Sequence, residues 1–323
     1  MKILVTGAAG FVGYHSTLAL LAKGWTVIGV DNLNDYYDVN LKKGRLAVLR
    51  ENKFFTFIEM DLADKEAIAS LFKKEQFDNV LHLGAQAGVR YSIDNPFAYI
   101  DSNIVGTLTI LEGCRHNNIK HLVYASSSSV YGANTKQPFS IDDRVDSPVS
   151  LYAATKKADE MMAHTYAHLY KVPATGLRFF TVYGEFGRPD MAYFKFANAI
   201  MSGKPIDVYN HGDMERDFTY ISDIVSGIMS IIEKGPINKQ NVSHNVYNLG
   251  NNKPEKLLDM INILENKLGV KAEKNFLPMQ PGDVYSTYAD IEETKKDYGY
   301  EPQISLEEGL EKFVKWYKEF YLL

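Results

Sequence analysis

Cysteine is nearly absent: Cys114 is the only one in 323 residues, so no internal disulfide can form and a reducing compartment is expected. It falls in an apolar helical stretch, where it reads as buried filler rather than a nucleophile. Long apolar runs are missing too. None approaches membrane-spanning length, and no charged-then-apolar leader precedes the first strand. A cytoplasmic protein with no membrane partner is the expectation. Positive charge is in deficit, with 35 Lys and Arg against 40 Asp and Glu and a formal net charge of −5. That balance argues against nucleic acid or an anionic membrane as the main partner. Any anionic ligand must then be held by a few placed arginines and backbone amides. Low-complexity tracts, internal repeats and obvious linkers are also absent. What remains is an ordinary globular composition, 46% hydrophobic, long enough for two domains.

The chain opens on a β-type run, Lys2 to Thr6, then Gly7-Ala8-Ala9-Gly10-Phe11-Val12-Gly13, then a helical pattern to about Lys23 and a second strand at Thr26–Asp31. Glycines in a GxxGxxG between a strand and a helix serve a tight turn, close backbone approach to a pyrophosphate, and close helix–strand packing. The helix N-terminus offers N–H groups and partial positive charge to the phosphates. Dinucleotide binding is the reading, against the plainer one of a simple turn. Asp31 ends the second strand, where a carboxylate hydrogen-bonds ribose hydroxyls and repels a 2′-phosphate. NAD is therefore expected over NADP. Lys42, Lys43 and Arg45 follow and pull the other way, as candidate holders of a 2′-phosphate or as a solvated face.

Further strands are expected at Phe54–Met60, ending at Asp61-Leu62, and at Asn79–Leu83, followed by Gly84-Ala85-Gln86-Ala87-Gly88-Val89-Arg90. Asp61 is either an adenine contact or a helix cap. Arg90 is either a phosphate or substrate contact or a surface charge. Phe97–Arg115 reads as one long helix. His121–Ala125 is the fifth strand and runs into Ser126-Ser127-Ser128-Ser129-Val130-Tyr131-Gly132, hydroxyls at the carboxyl edge of a sheet, where open α/β sheets bind ligands. Regular alternation predicts an α/β fold, a Rossmann-type doubly wound parallel sheet. The pattern changes after a strand at Ala174–Phe179. Residues 1–179 are expected to bind the cofactor and 180–323 to form a smaller α/β substrate-binding domain, with part of about 219–250 packing back. Val242–Leu249 reads as a strand, Pro254–Leu268 as a helix, Gln280-Pro281-Gly282-Asp283 as a turn, and Ser305–Tyr321 as a closing helix.

The chemistry is expected at Ser150-Leu151-Tyr152-Ala153-Ala154-Thr155-Lys156. Ser150 is a plausible N-cap, and Tyr152 and Lys156, at i and i+4, share one helix face. A phenol with a pKa of ~10 is a poor base near neutrality, but a nearby ammonium favours its ionised form. That suits a general base acting on a sugar hydroxyl. Alone, the spacing favours a plain amphipathic helix with a half-buried Tyr and an exposed Lys; the glycine loop and serine cluster upstream decide for chemistry.

With these motifs in place the chain resembles, end to end, the extended short-chain dehydrogenase/reductases, and within them the nucleotide-sugar 4-epimerases of the UDP-glucuronate type. The resemblance implies Tyr152 as base, Lys156 on the nicotinamide ribose, and Ser127 on the reacting O4, with a slip of one serine left open. It implies cofactor contacts from Gly7, Gly10, Phe11, Val12, Gly13, Asp31, Asn32, Asp61, Leu62, Leu83 and Ala85. Arg90, Ser128, Thr181, Arg188, Arg216 and Asp283 are the remaining candidate contacts for a UDP-sugar, Arg216 and Asp283 gripping the diphosphate and ribose. Thr181 replaces the asparagine of galactose-type epimerases and, with Arg188 in Gly187-Arg188-Pro189-Asp190, resembles the uronic-acid branch. Arg188 is expected to clamp a carboxylate bidentately and so protect a β-keto acid from losing CO₂. Ser126–Gly132 lacks the Asp-Glu pair of related 4,6-dehydratases, which disfavours elimination. A homodimer through the Phe97–Arg115 and Tyr152–Tyr170 helices is also implied; no metal is. The alternatives are a 4-epimerase of neutral or N-acetylated UDP-sugars or uronates, and an NAD-binding regulator without catalysis.

Overall fold

The computed structural model describes residues 1–239, 242–279 and 285–322. Its strands are β1 (Lys2–Thr6), β2 (Thr26–Asp31), β3 (Phe55–Glu59), β4 (Asn79–His82), β5 (His121–Ser127), β6 (Ala174–Phe179), β7 (Thr181–Tyr183), β8 (Ile206–Val208), β9 (Glu215–Tyr220), β10 (His244–Leu249), β11 (Pro254–Lys256), β12 (Lys274–Phe276) and β13 (Ser286–Thr287). Seven of them form one sheet in the order β10-β6-β5-β4-β1-β2-β3, parallel throughout. Apolar runs such as Ile3-Leu4-Val5 are fully buried, as a sheet covered on both faces requires. The chain order reverses between β1 and β4, and that opens a crevice at their carboxyl ends.

β10 lies beside β6 in this sheet, and the Ile221–Lys234 helix packs against the Phe11–Ala22 helix. β7, β9, β11 and β13 form a smaller sheet, pinned through Asp217. The Asp217 carboxylate, pushed up to about 6 by burial against its hydrogen bonds, accepts from Thr219 and from the amides of Asn251, Asn252 and Ala289. The closing helix, Leu306–Tyr321, is capped by Ser305 and lays Trp316 and Phe320 against Phe186.

Two expected helices differ. Pro254–Lys256 is a strand, antiparallel to β9, and the helix starts only at Leu257. Phe97–Arg115 is interrupted: a π-helical stretch at Ile100–Val105 separates Pro96–Tyr99 from Gly106–His116. The wider turn brings Asn103 inward, where it accepts from the Gln86 amide and donates to the Gln86 carbonyl and Thr155 Oγ1. The turn expected at Gln280–Asp283 lies outside the described residues.

Behind the sheet edge, Arg178 on β6 makes a two-pronged pair with Glu160, Nε to Oε1 and Nη2 to Oε2, both 2.9 Å. Ser126 donates to the same carboxylate at 2.7 Å, and Arg178 reaches Tyr131 Oη at 3.0 Å. The pair is 4% exposed on either side. Burial alone would raise the Glu160 carboxyl; Arg178 and Ser126 outweigh it and hold it below its ordinary value. A lowered carboxyl gives stability that is present above the unfolded pKa and lost as the pH falls through the folded one. Glu160→Gln, which leaves Arg178 buried without its partner, is expected to cost about 3–5 kcal/mol near neutrality. Urea titrations should show the gap to the parent protein narrowing below pH 4.5, the group's ordinary value.

Candidate active site

The glycine loop is built by sterics. Gly7 has φ 68°, and a Cβ there would stand 2.8 Å from the Gly84 nitrogen. A Cβ on Gly13 would stand 2.0 Å from the Gly7 carbonyl oxygen, so neither position tolerates a side chain without rearrangement. Gly10 is the N-cap of the Phe11–Ala22 helix and supplies no side-chain cap, which leaves the first turn facing the crevice with its amides. This cradle fits a dinucleotide pyrophosphate.

Asp31 closes the far side of the loop. Its Oδ2 accepts from the Ala9 amide and its Oδ1 from the Leu33 amide, and each oxygen retains a lone pair for a ligand hydroxyl. Burial raises the carboxyl above its ordinary value, with Lys42 at 4.0 Å working against the shift. Among the three basic residues beyond it, only Lys43 is exposed. Lys42 is buried and donates to the Asn34 carbonyl and side chain. Arg45 is fully buried and makes five hydrogen bonds, to Ala9 O, Tyr37 Oη, Phe186 O twice and Gly187 O. Five N–H groups so committed leave nothing for a 2′-phosphate. Asn32 donates to Asp61 Oδ2, and Asp61 Oδ1 takes the Ala63 amide, while the next helix is capped by Asp64. Leu62, Leu83 and Ala85 line the same crevice, with Phe11 and Val12 beside the glycines.

Ser150 caps the Leu151–Tyr170 helix through the Ala153 amide, and Tyr152 and Lys156 both face the crevice. Lys156 is 3% exposed and donates to the Ala125 carbonyl and to Asp159 Oδ2, each at 3.1 Å. Across from them, the four serines have separate fates. Ser126 is turned away to Glu160, whereas Ser127 starts a 3₁₀ turn, accepting from the Ser129 amide and donating to Ser129 Oγ. Ser128 lies on the crevice wall.

The opposite wall comes from the second half of the chain. Thr181, Arg188 and Arg216 all line the crevice. Arg90, exposed, stands over the Tyr209 ring at 5.3 Å, and Arg216 donates to the Glu215 and Tyr285 carbonyls. Asp283 lies outside the described residues. Arg188 differs from expectation in one respect: its Nε and Nη2 edge is already paired with Asp190, at 3.0 and 2.5 Å. A second bidentate partner must use the other edge.

Several participants escaped the sequence reading. Asp159 is the buried counter-ion of Lys156, signalled only by its i+3 spacing. Asn103 joins the Gln86 loop to the Tyr152 helix, and no periodicity announces the π-helical turn that carries it. Tyr99 donates to the Ala87 and Gly88 carbonyls and stands edge-on to Tyr152, ring centres 6.0 Å apart. Among the described residues no cluster of ligating side chains could hold a metal ion.

The chain is 50% identical over 333 residues to UDP-glucuronate 4-epimerase 4 of Arabidopsis thaliana, covering 99% of this chain and 76% of that protein. It is 45% identical to a probable UDP-glucuronate 4-epimerase of Rhizobium meliloti, covering 99% and 98%. Among solved structures, the Bacillus cereus UDP-glucuronic acid 4-epimerase in complex with UDP-glucuronic acid and NAD superposes with a TM-score of 0.91 at 36% identity, covering 99% of this chain and all of that one. Residues 3–250 match the sequence pattern of the NAD dependent epimerase/dehydratase family, and the chain belongs to it.

Proposed function

We propose that the protein is an NAD-dependent 4-epimerase that interconverts UDP-glucuronate and UDP-galacturonate. The observation carrying this reading is one crevice that gathers the glycine cradle, Tyr152 with Lys156, Ser127 and Arg188. Residues 1–179 hold the cofactor with help from 219–250, and the remainder of 180–323 holds the nucleotide sugar. The glycine cradle and Asp31 would hold NAD, which when bound would supply reversible hydride chemistry at C4. The chain's own part is acid–base chemistry and restraint. Tyr152 takes the O4 proton and returns it, Ser127 hydrogen-bonds O4, and Lys156, anchored by Asp159, holds positive charge beside the phenol. Thr181, Ser128 and the outer edge of Arg188 meet the uronate carboxylate, while Arg90, Arg216 and Asp283 serve the UDP moiety. In the 4-keto state the carboxylate is β to a ketone, and a guanidinium keeps its charge on oxygen, away from the C5–C6 bond.

The working form is a homodimer in the cytoplasm. Phe97, Ile93, Met161 and Leu169 are 58–78% exposed on the Tyr91–His116 segment and the Leu151–Tyr170 helix, which pack together and would meet a second copy. Cys114, buried, fits a reducing compartment. No helix of the described residues is long and apolar enough to cross a membrane.

Three outcomes are expected. Denaturing the purified protein should release NAD and not NADP, and Gly13→Ala should come without either, as mass spectrometry of the supernatant will read. NMR of UDP-glucuronate with enzyme and no added cofactor should show UDP-galacturonate forming; Tyr152→Phe should slow this by about 10²–10⁴-fold while UDP binding persists. Sedimentation of a Phe97→Glu, Met161→Glu double variant should give monomers where the parent gives dimers; monomeric parent protein would refute the interface.

A further inference from the structure

Asp190 has no place in the reaction described above, yet it occupies the residue on which substrate choice depends. Its carboxylate takes Nε–H of Arg188 on Oδ1 and one Nη2–H on Oδ2. Tyr36, from the segment that follows β2, donates to the same Oδ2 at 3.1 Å. Burial would push the Asp190 carboxyl up, but Arg188 and Tyr36 hold it below its ordinary value, so it is an anion in the working range. Tyr36 is pushed up to about 12, by burial first and then by the Asp190 charge, and stays a donor. The pair is mostly sheltered, at 24% and 22% exposure.

A guanidinium has two edges that can grip a carboxylate, the Nε–Nη side and the Nη–Nη end. Asp190 takes the side. The end, Nη1 and the second Nη2–H, lies outside that pairing. An arginine on a loop otherwise carries rotamer freedom that a ligand would have to quench on binding. Here the loop itself is also held, because Arg45 grips the Phe186 and Gly187 carbonyls immediately before Arg188.

We propose that Asp190, steadied by Tyr36, is the positioning residue that aims the end-on edge of Arg188 at the substrate carboxylate. The proposal rests on Arg188 being the uronate contact. It carries a distinctive consequence. Asp190 and a bound uronate are like charges on either side of one guanidinium, so Asp190 weakens ground-state binding while it sharpens orientation. Removing its charge therefore separates affinity from turnover. A carboxylate held at the wrong angle also lets the 4-keto acid decarboxylate: the C5–C6 bond breaks, its electron pair moves into the C4 carbonyl, CO₂ leaves, and C5 takes a proton from water.

The experiment compares the parent enzyme with Asp190→Asn, Tyr36→Phe and Arg188→Ala, using UDP-glucuronate labelled with ¹³C at C6. Asp190→Asn should lose about 10- to 100-fold in kcat with KM unchanged or lowered, and should release labelled CO₂ in a larger share of turnovers. Tyr36→Phe should move the same two readings in the same direction by less. A merely structural role would instead raise KM, weaken UDP binding and leave the CO₂ share alone; that pattern overturns the proposal. Parent-like kcat and CO₂ share in Asp190→Asn, with Arg188→Ala inactive on the uronate, overturns it while leaving the Arg188 contact standing. Parent-like Arg188→Ala overturns both.

Discussion

Arg45 is the constraint on which the two halves of the crevice depend. It is wholly buried, and its five N–H groups end on Ala9, Tyr37, Phe186 and Gly187. Ala9 lies inside the glycine loop; Phe186 and Gly187 lie in the loop that presents Arg188. A buried cation stripped of water must keep such partners, because each one lost would leave a charged donor unsatisfied. The glycine loop and the loop that carries Arg188 are thus fixed to one guanidinium. Phe186 is held from its other side by Tyr14, Trp316 and Phe320, so the closing helix bears on the same point.

The Tyr152–Lys156 side of the crevice is fixed by a different set of buried polar groups. Glu160 lies one turn beyond Lys156, and it binds Arg178 of β6 and Ser126 of β5. The residue after Ser126 is Ser127, the one before it is Ala125, and the Ala125 carbonyl accepts from Lys156. Helix and strand are therefore cross-linked at both Ala125 and Ser126, and Asn103 adds a third tie to Thr155. Networks of this kind are costly when incomplete.

The motifs legible in the chain were those whose residues are close in sequence. The glycine loop, the Ser150 cap and the Tyr152–Lys156 pair are local, and their physics acts within one or two turns. The Rossmann-type sheet was legible because strands buried on both faces read as continuous apolar runs. What stayed hidden is held together across long separations: Arg45 meets Phe186 at 141 residues' distance, and Tyr36 meets Asp190 at 154. The basic cluster after Asp31 was ambiguous for that reason. Nothing in Lys42-Lys43-Gly44-Arg45 says that one cation faces water and two are spent inside. Pro254 reads as a helix start from composition, yet Glu215–Asp217 offers it a strand to pair with, and tertiary pairing prevailed.

A sugar that receives the hydride on either face must turn within the crevice, and its contacts must be made in two orientations. An arginine whose only partner was the substrate would be left as a sheltered, unpaired cation, free to follow the departing carboxylate or to seek a carbonyl. Asp190 removes that choice. With the side-on edge paired to Asp190, Arg188 keeps its plane whether or not the outer edge is occupied. In the role proposed for Arg188, a substrate carboxylate would be re-presented by exchanging two hydrogen bonds, with no rotamer to re-establish. On this argument the pair is suited to a reaction in which one ligand binds twice within a single turnover, and an arginine presented alone would not be.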